Sequence, residues 1–270
     1  METTMTETTP TTLPYRLERT VAIQASPETV FRFFTDSARW ASWWGAGSTI
    51  DARPGGRFLI RYPGGVEALG EVLEISAPER LVLSYGYAAG TPVPPGGSRV
   101  SIRLTKDGAR TVLHLTHELA DAAARDEHIQ GWRYQLSLFG NLVADEVFAG
   151  AAALVDAWFR GWSEEQAEAR QHAFATITTP DVRFSDRFSL ILGLDELVAH
   201  IGGYQRVMPG IRLERRGDIR QCQGTVLAEW IAVGRQGEER MNGTNVFLLA
   251  PTGRIESVTG FITLPRTAQT

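Results

Sequence analysis

The chain has 270 residues, which is long for one hydrophobic core and enough for two domains of about 130 residues each. Its net charge is −4 and no basic stretch is present, which argues against a nucleic-acid-binding protein. No apolar run approaches the ~20 residues that cross a bilayer, and the single cysteine, Cys222, excludes an internal disulfide. The composition therefore predicts a cytoplasmic protein that binds neither nucleic acid nor membrane.

The N-terminal segment METTMTETTPTTLP carries no apolar stretch and no cationic start. Both are features of a signal peptide, so we expect residues 1–14 to be a disordered lead instead. The first regular element is predicted to be a strand over residues 15–25. A helix follows, because Ser26 is a good N-cap and Pro27 suits the first helical position.

The next stretch predicts a short helix, several antiparallel strands and one long helix. The segment SARWASWW forms the short helix and ends at Gly45. Gly-Gly and Asp-Gly pairs mark hairpin turns between the strands that follow. The long helix is predicted over residues 127–148 because its apolar residues recur every three or four positions. Those residues are Ile129, Trp132, Leu136, Phe139, Val143 and Val147.

The second half of the chain has the opposite order of elements. Three amphipathic segments, centred on LVDAWFRGW, EEQAEARQHAFATI and GLDELVAHIGGY, predict helices. A short strand, VRFSD, is predicted between the second and the third, and four strands follow the third. We expect the domains to span 15–149 and 150–266, with a short tail at 267–270. The strands AEWIAV and NVFLLA are apolar on both faces, so the outer face of this sheet needs a cover. A homodimer formed through the C-terminal domain would provide it.

The motifs of the first half resemble the SRPBCC superfamily. The segments ASPETVFRFFTDSARWASWW, DARPGGRF, GEVLEISAPERLVLSY and TVLHLTHE carry the resemblance, together with the Gly131-Trp132 pair of the long helix. Within the superfamily, residues 16–147 are most similar to the heat-shock protein 90 ATPase activator homologue family. The resemblance implies the helix-grip fold, which START lipid-transfer proteins and birch-pollen allergens share.

The second half resembles the SnoaL-like branch of the nuclear transport factor 2-like superfamily. The helix with Trp158 and Trp162, the segment DVRFSDRFSLILGLDELVAHI and the closing GRIESVTGFI carry this resemblance over residues 154–264. It implies a cone-shaped α+β barrel, in which many relatives hold a ligand or an active site. The whole chain is thus predicted to be an α+β protein with a helix-grip domain followed by a cone-shaped domain.

Candidate ligand-binding residues in the first domain are Trp40, Trp43, Trp44 and His117. The tryptophans form the wall of a pocket or pack the short helices onto the sheet, and both interpretations stay open. His117 shares a strand face with leucines, so it is either a polar anchor inside the cavity or a core histidine with satisfied hydrogen bonds. His114 lies on the opposite face, and we expect no metal site.

In the second domain the candidates for catalysis are Asp186, His200 and Tyr204. Relatives with enzymatic activity place an acidic, histidine or tyrosine side chain inside an apolar cone, where burial raises a carboxylate pKa. His200 and Tyr204 are four residues apart and share a helix face. Asp186 also suits a turn. Tyr204 and Asn245 are also candidate ligand-binding residues. An asparagine cannot take up a proton, which weakens the case for an enzyme.

These observations favour a protein that binds a small, mostly apolar molecule in one or both cones, without a cofactor. One alternative is a cofactor-independent cyclase, isomerase or hydrolase that acts on polyketide-like or steroid-like substrates in the C-terminal cone. A second alternative, invited by the family resemblance, is a chaperone-associated protein. The full activators use a separate N-terminal domain as well, and residues 1–14 are too few to form one.

Overall fold

The computed structural model describes residues 12–263, and it divides the chain into two compact units, Met1–Val143 (unit 1) and Ala144–Thr270 (unit 2). The predicted tail, and all of the predicted disordered lead except residues 12–14, lie outside the described residues. The mixed α+β class is confirmed. The division falls a few residues before the expected boundary, because Ala144 and Phe148 at the end of the long helix pack into the core of unit 2.

Unit 1 is a seven-stranded antiparallel sheet with three helices. Its elements are β1 (Tyr15–Ile23), α1 (Pro27–Thr35), α2 (Ser37–Trp44), β2 (Thr49–Ile50), β3 (Arg57–Arg61), β4 (Glu67–Ser76), β5 (Arg80–Tyr87), β6 (Ser98–Asp107), β7 (Arg110–Leu119) and α3 (Ala122–Val147). The strand order is β1-β7-β6-β5-β4-β3-β2, so the first strand pairs with the last. This is the helix-grip arrangement that the sequence predicted.

Side-chain caps set the ends of the two short helices. The hydroxyl of Ser26 accepts the backbone N–H of Thr29 at 3.4 Å and begins α1, as predicted. The carboxylate of Asp36 accepts the N–H of Arg39 at 2.9 Å and begins α2 directly after α1. Each cap satisfies one of the amide groups that a helix start leaves free, so two helices follow each other without a linker.

The long helix α3 begins earlier than predicted. Asp121 accepts the N–H of Ala124 at 2.8 Å, which starts the helix five residues before the expected Glu127. The first turn contains three alanines, which favour a helix but carry no apolar periodicity, so the pattern could not show them. The predicted stripe is confirmed for four members that are buried. These are Trp132, Leu136, Phe139 and Val143.

Unit 2 packs three helices against a six-stranded sheet. Its elements are α4 (Ala151–Trp162), α5 (Ala167–Ile177), β8 (Thr178–Ser185), β9 (Leu190–Leu192), α6 (Leu194–Val207), β10 (Arg212–Cys222), β11 (Thr225–Val233), β12 (Glu239–Leu249) and β13 (Ile255–Ile262). The strand order is β10-β11-β12-β13-β8-β9. Among these pairs only β13–β8 is parallel, and the other four are antiparallel.

Aromatic side chains fill the core of unit 2. Trp158 is fully buried, and its ring centroid lies 5.2 to 6.3 Å from four other aromatic rings. Those rings belong to Trp162, Phe174, Phe184 and Phe247. They come from α4, α5, β8 and β12, so the core ties the helices to both halves of the sheet.

The outer face of this sheet is partly apolar. Leu227 on β11 lies opposite Val246 on β12, and both are partly buried. Phe261 on β13 is 58% exposed. The homodimer expected through this face stays a prediction. In residues 12–263 no single helix is long and apolar enough to cross a membrane, and α3 and α4 meet those criteria only when they are taken together.

Candidate functional site

Unit 1 contains an open cavity of about 710 Å³. Its walls are the end of α2, the residues after β3, the end of β5 with the loop behind it, and the first half of α3. Besides Tyr134 at the rim, six tryptophan and tyrosine side chains line it. They are Trp43, Trp44, Tyr62, Tyr85, Tyr87 and Trp132. Ligand sites typically measure roughly 300–1,000 Å³ and are lined mainly by apolar and aromatic groups, so this cavity has the size and the surface of such a site.

The aromatic lining is a continuous set of ring contacts. The ring of Trp44 meets Trp132 edge-on at 5.7 Å and Tyr62 edge-on at 5.8 Å between centroids. Tyr62 in turn stacks on Tyr87 at 6.4 Å. Such contacts are favourable beyond the area that they bury, so the rings hold one another in place around the open space.

Two tyrosine hydroxyls bond to each other at one side of the cavity. The oxygen atoms of Tyr62 and Tyr85 are 3.0 Å apart. Burial is the main reason why the pKa of each phenol is raised above its usual value. Both groups therefore stay protonated at neutral pH and present neutral hydroxyls.

His128 orients a third tyrosine. Its Nδ1 lies 2.6 Å from the carbonyl oxygen of Ala124, and a carbonyl can only accept, so Nδ1 carries a proton. In the neutral ring Nε2 is then the acceptor. The hydroxyl of Tyr87, 3.3 Å away, donates to it. His128 is buried and lies on the cavity wall, so it fixes the direction of the Tyr87 hydroxyl.

His117 lies behind the cavity in a closed chain of hydrogen bonds. Ser98 donates its only hydroxyl proton to the carbonyl oxygen of Tyr85 at 2.9 Å, so it accepts from Nε2 of His117, also at 2.9 Å. The indole N–H of Trp132 donates to Nδ1 at 3.1 Å. Burial, with a smaller contribution from His128, lowers the pKa of His117 to about 3. The ring is thus a neutral core group that holds Trp132 in position.

Gln135 brings an amide to the cavity wall. Its side-chain N–H donates to the carbonyl oxygen of Trp43, which ties α3 to the end of α2. The residue is only 7% exposed. Since the nitrogen must face that carbonyl, the orientation of the amide is fixed, and its oxygen is the remaining hydrogen-bonding atom.

Of the four residues predicted as a binding site in unit 1, two line the cavity and two do not. Trp43 and Trp44 line the cavity. Trp40 is 1% exposed, donates to the carbonyl oxygen of Leu59 at 3.3 Å and packs in the core. His117 contacts the cavity only through Trp132 and its other ring neighbours.

Tyr85, Tyr87, His128 and Gln135 were not among the residues predicted from the sequence. Two signals could have found most of them. Tyr85 and Tyr87 share strand parity with the buried leucines of RLVLSYGY, and His128 precedes Trp132 by one helical turn.

The predicted residues of unit 2 lie around the aromatic core. Asp186 accepts the backbone N–H of Phe188 at 2.8 Å, a turn-forming bond. His200 and Tyr204 share a helix face, as predicted, and both pack edge-on against Trp162, at 6.0 and 5.6 Å between ring centroids. Burial raises the pKa of Tyr204 to about 12.

Asn245 is 5% exposed, and its amide oxygen accepts the indole N–H of Trp230 at 3.0 Å. Two cavities lie along unit 2, one of about 560 Å³ beside Arg235 and Arg240 and one of about 300 Å³ beside Leu154. Neither is lined by Asn245 or by the three candidates for catalysis. Across residues 12–263, no three histidine, cysteine, aspartate or glutamate side chains lie close enough together to hold a metal ion.

The fold and cavity of unit 1 define a helix-grip protein with an aromatic pocket. The family described as activator of Hsp90 ATPase homolog 1-like protein matches residues 24–144. Residues 24–144 thus form a domain that matches this family, and the resemblance predicted for the first half is confirmed. No curated protein is significantly similar to this chain.

Several solved structures are similar to single parts of the chain. The AHSA1-like protein from Rhizobium etli is 31% identical, covers 48% of this chain and is covered over 81% of its own length, with a TM-score of 0.40. CalU16 from Micromonospora echinospora is 27% identical, with coverages of 48% and 77% and a TM-score of 0.40. A SnoaL-like family protein from Agrobacterium tumefaciens is 24% identical, with coverages of 42% and 96% and a TM-score of 0.40.

Proposed function

We propose that unit 1 binds a small, mostly apolar molecule in its aromatic cavity. The observation that carries the proposal is an open space of about 710 Å³ bordered by tryptophan and tyrosine rings. A core that only needed to be stable would close such a space, because packed interiors leave few voids larger than a water molecule. The enzyme and chaperone alternatives stay predictions.

Binding can be tested on the full chain with 1-aminoanthracene, a neutral fluorescent probe. We expect saturable binding to one site and a rise in the melting temperature of unit 1. At a probe concentration of 100 times Kd, the stabilisation should be about 2.7 kcal/mol. A probe that does not bind saturably would contradict the proposal.

Gly131 provides a variant that blocks the cavity without disturbing the fold. It lies on α3 at the cavity wall, and a Cβ atom added there meets nothing within 4 Å. Gly131→Leu should therefore place its side chain in the open space and weaken probe binding at least tenfold. Gly203→Leu on α6 is the matched control, because its added Cβ has only the guanidinium of Arg206 nearby, at 3.7 Å. Equal loss in both variants would show that the effect is not local to the cavity.

A further inference from the structure

Three side chains on the cavity-facing side of α3 alternate in polarity. His128, Trp132 and Gln135 are spaced at i, i+4 and i+7, which puts them on one face of the helix, and all three line the cavity. At 1.5 Å per residue, the two polar members are about 10 Å apart along the helix axis. The indole ring of Trp132 lies between them. The wall thus has a polar group at each end and an aromatic surface in the middle.

The first end is a cluster of neutral hydroxyls around His128. The Tyr87 hydroxyl donates to His128, which leaves the lone pairs of its oxygen available to a ligand. The bonded pair of Tyr62 and Tyr85 lies beside it. A hydroxyl group on a ligand, which both donates and accepts, is the natural partner for such a cluster.

The second end is the amide oxygen of Gln135. The amide nitrogen is used by Trp43, and within residues 12–263 the oxygen has no hydrogen-bond partner. The oxygen is not one of the fully enclosed polar atoms that lack a partner, so it stays accessible and can accept a hydrogen bond from a molecule in the cavity. This end therefore calls for a donor, and a hydroxyl group supplies one.

The charge of the lining restricts the ligand further. Of the lining residues in the described range 12–263, none is lysine or arginine, and Glu127 at the rim is the one carboxylate. An anionic group would lose its hydration without gaining a counter-charge, which is strongly unfavourable. The lining therefore disfavours fatty acids and other carboxylates.

We propose that the cavity takes a neutral, elongated ligand with a rigid apolar body and one hydroxyl group at each end. One hydroxyl bonds to the Tyr87–His128 pair, the other donates to Gln135, and the body lies along Trp132. This inference rests on the proposed function and adds to it the polarity and the length of the ligand.

Four probes with one body test the inference on the full chain by titration calorimetry. They are 4,4′-dihydroxybiphenyl, 4-hydroxybiphenyl, biphenyl and biphenyl-4,4′-dicarboxylate. The two oxygens of the diol are about 10 Å apart, which is comparable with the spacing of His128 and Gln135 along the axis of α3. We expect each hydroxyl to tighten binding about fivefold to tenfold relative to biphenyl, the gain typical of one neutral hydrogen bond. The dicarboxylate should bind more weakly than biphenyl itself.

Variants of each end separate a two-ended site from a one-ended one. Tyr87→Phe and Gln135→Met each remove one polar end at nearly constant volume, and each should weaken the diol about fivefold to tenfold. The mono-ol should keep its affinity in either single variant, because it can turn round and use the remaining end. Only the double variant should reduce it to the affinity of biphenyl. Tyr15→Phe is the control, since Tyr15 on β1 is 38% exposed and does not line the cavity.

The outcomes distinguish this inference from the proposed function. If none of the four probes binds, the proposed function itself fails. If biphenyl binds but the hydroxyl groups add nothing, or if one single variant removes the whole advantage of the mono-ol, the two-ended site is overturned while apolar binding stands. Unchanged affinity of the variants for biphenyl shows that they are folded.

Discussion

Both units contain buried tryptophan rings, but the surroundings of these rings differ. In unit 1, Trp44 and Trp132 border an open cavity, whereas in unit 2 Trp158 is enclosed by other rings on several sides. These tryptophans are buried and lie on helices. An aromatic cluster therefore does not by itself distinguish a ligand pocket from a packed core; the side chains that face the cluster decide.

Two helix glycines show where the difference arises. A Cβ atom added to Gly131 on α3 meets nothing within 4 Å, because the cavity lies beside it. A Cβ added to Gly161 on α4 would lie 2.7 Å from the ring of Phe174. In unit 2, Phe174 from the next helix fills the space beside the glycine, whereas in unit 1 the space beside the glycine stays open.

The largest expected effect compares the central tryptophan of each unit. Trp158→Ala should lower the free energy of unfolding of unit 2 by about 4–5 kcal/mol, since the ring is enclosed and its loss leaves a cavity. Trp132→Ala should cost unit 1 about 3–4 kcal/mol, because one side of its ring already faces open space. Urea titrations that follow each unit's transition measure both. A loss below about 1 kcal/mol for Trp132 would show that its ring does not support the core.

Buried polar groups give the next comparison. In unit 2 the guanidinium of Arg170 donates to the carbonyl oxygens of Val198 at 3.1 Å and Glu164 at 2.7 Å. Arg170→Met should destabilise unit 2 by about 2–4 kcal/mol, because it leaves these carbonyl oxygens without a hydrogen-bond donor. Arg206→Met, at an exposed position of α6, is the control and should change little. Equal effects would mean that lost charge, not lost hydrogen bonds, is responsible.

His117 should make unit 1 sensitive to acid. Its pKa is about 3 in the folded protein and 6.5 in a free histidine, so between these values the unfolded chain binds more protons and stability falls as the pH falls. The expected slope is at most about 1.4 kcal/mol per pH unit, and above pH 6.5 the contribution is complete. His117→Gln, which does not titrate, should remove this slope between pH 6 and 4.5. An unchanged slope would mean that His117 is not the responsible group.

The smallest expected changes in stability come from substitutions of the two helix glycines. Gly161→Ala should cost unit 2 about 1–2 kcal/mol, because the methyl group overlaps Phe174. Gly131→Ala should stabilise unit 1 by about 0.5–1 kcal/mol, since alanine favours a helix and has room. Thermal unfolding of both variants checks the opposite signs. A destabilised Gly131→Ala would indicate that the cavity wall is closed at that point.

The architecture of unit 1 could be predicted because its signals are local. Ser26 before a proline and the apolar spacing from Trp132 to Val143 determine helices without help from distant residues. The strands β2 and β9 were not predicted, because they have two and three residues and show no alternation. The early start of α3 was missed for the same kind of reason, since its alanines contain no pattern.

The site was less predictable because it depends on what meets across the fold. Trp43 and Trp44 stand out in the sequence, but nothing local shows that Trp40 turns into the core while they face the cavity. Gln135 is one polar residue among many on α3. Its importance comes from the carbonyl oxygen of Trp43, which is distant in sequence and close only in the folded unit.

The chain of hydrogen bonds from Trp132 through His117 to Ser98 should also slow hydrogen exchange of the ring N–H groups. Its indole and imidazole protons are each held between buried atoms, and neither reaches water while α3 stays on the sheet. Their exchange with deuterium therefore requires the helix to lift, at least locally, from β7. The exchange rates of the two ring N–H groups, measured by NMR, would therefore report how often that opening occurs. A molecule bound in the cavity should slow the exchange.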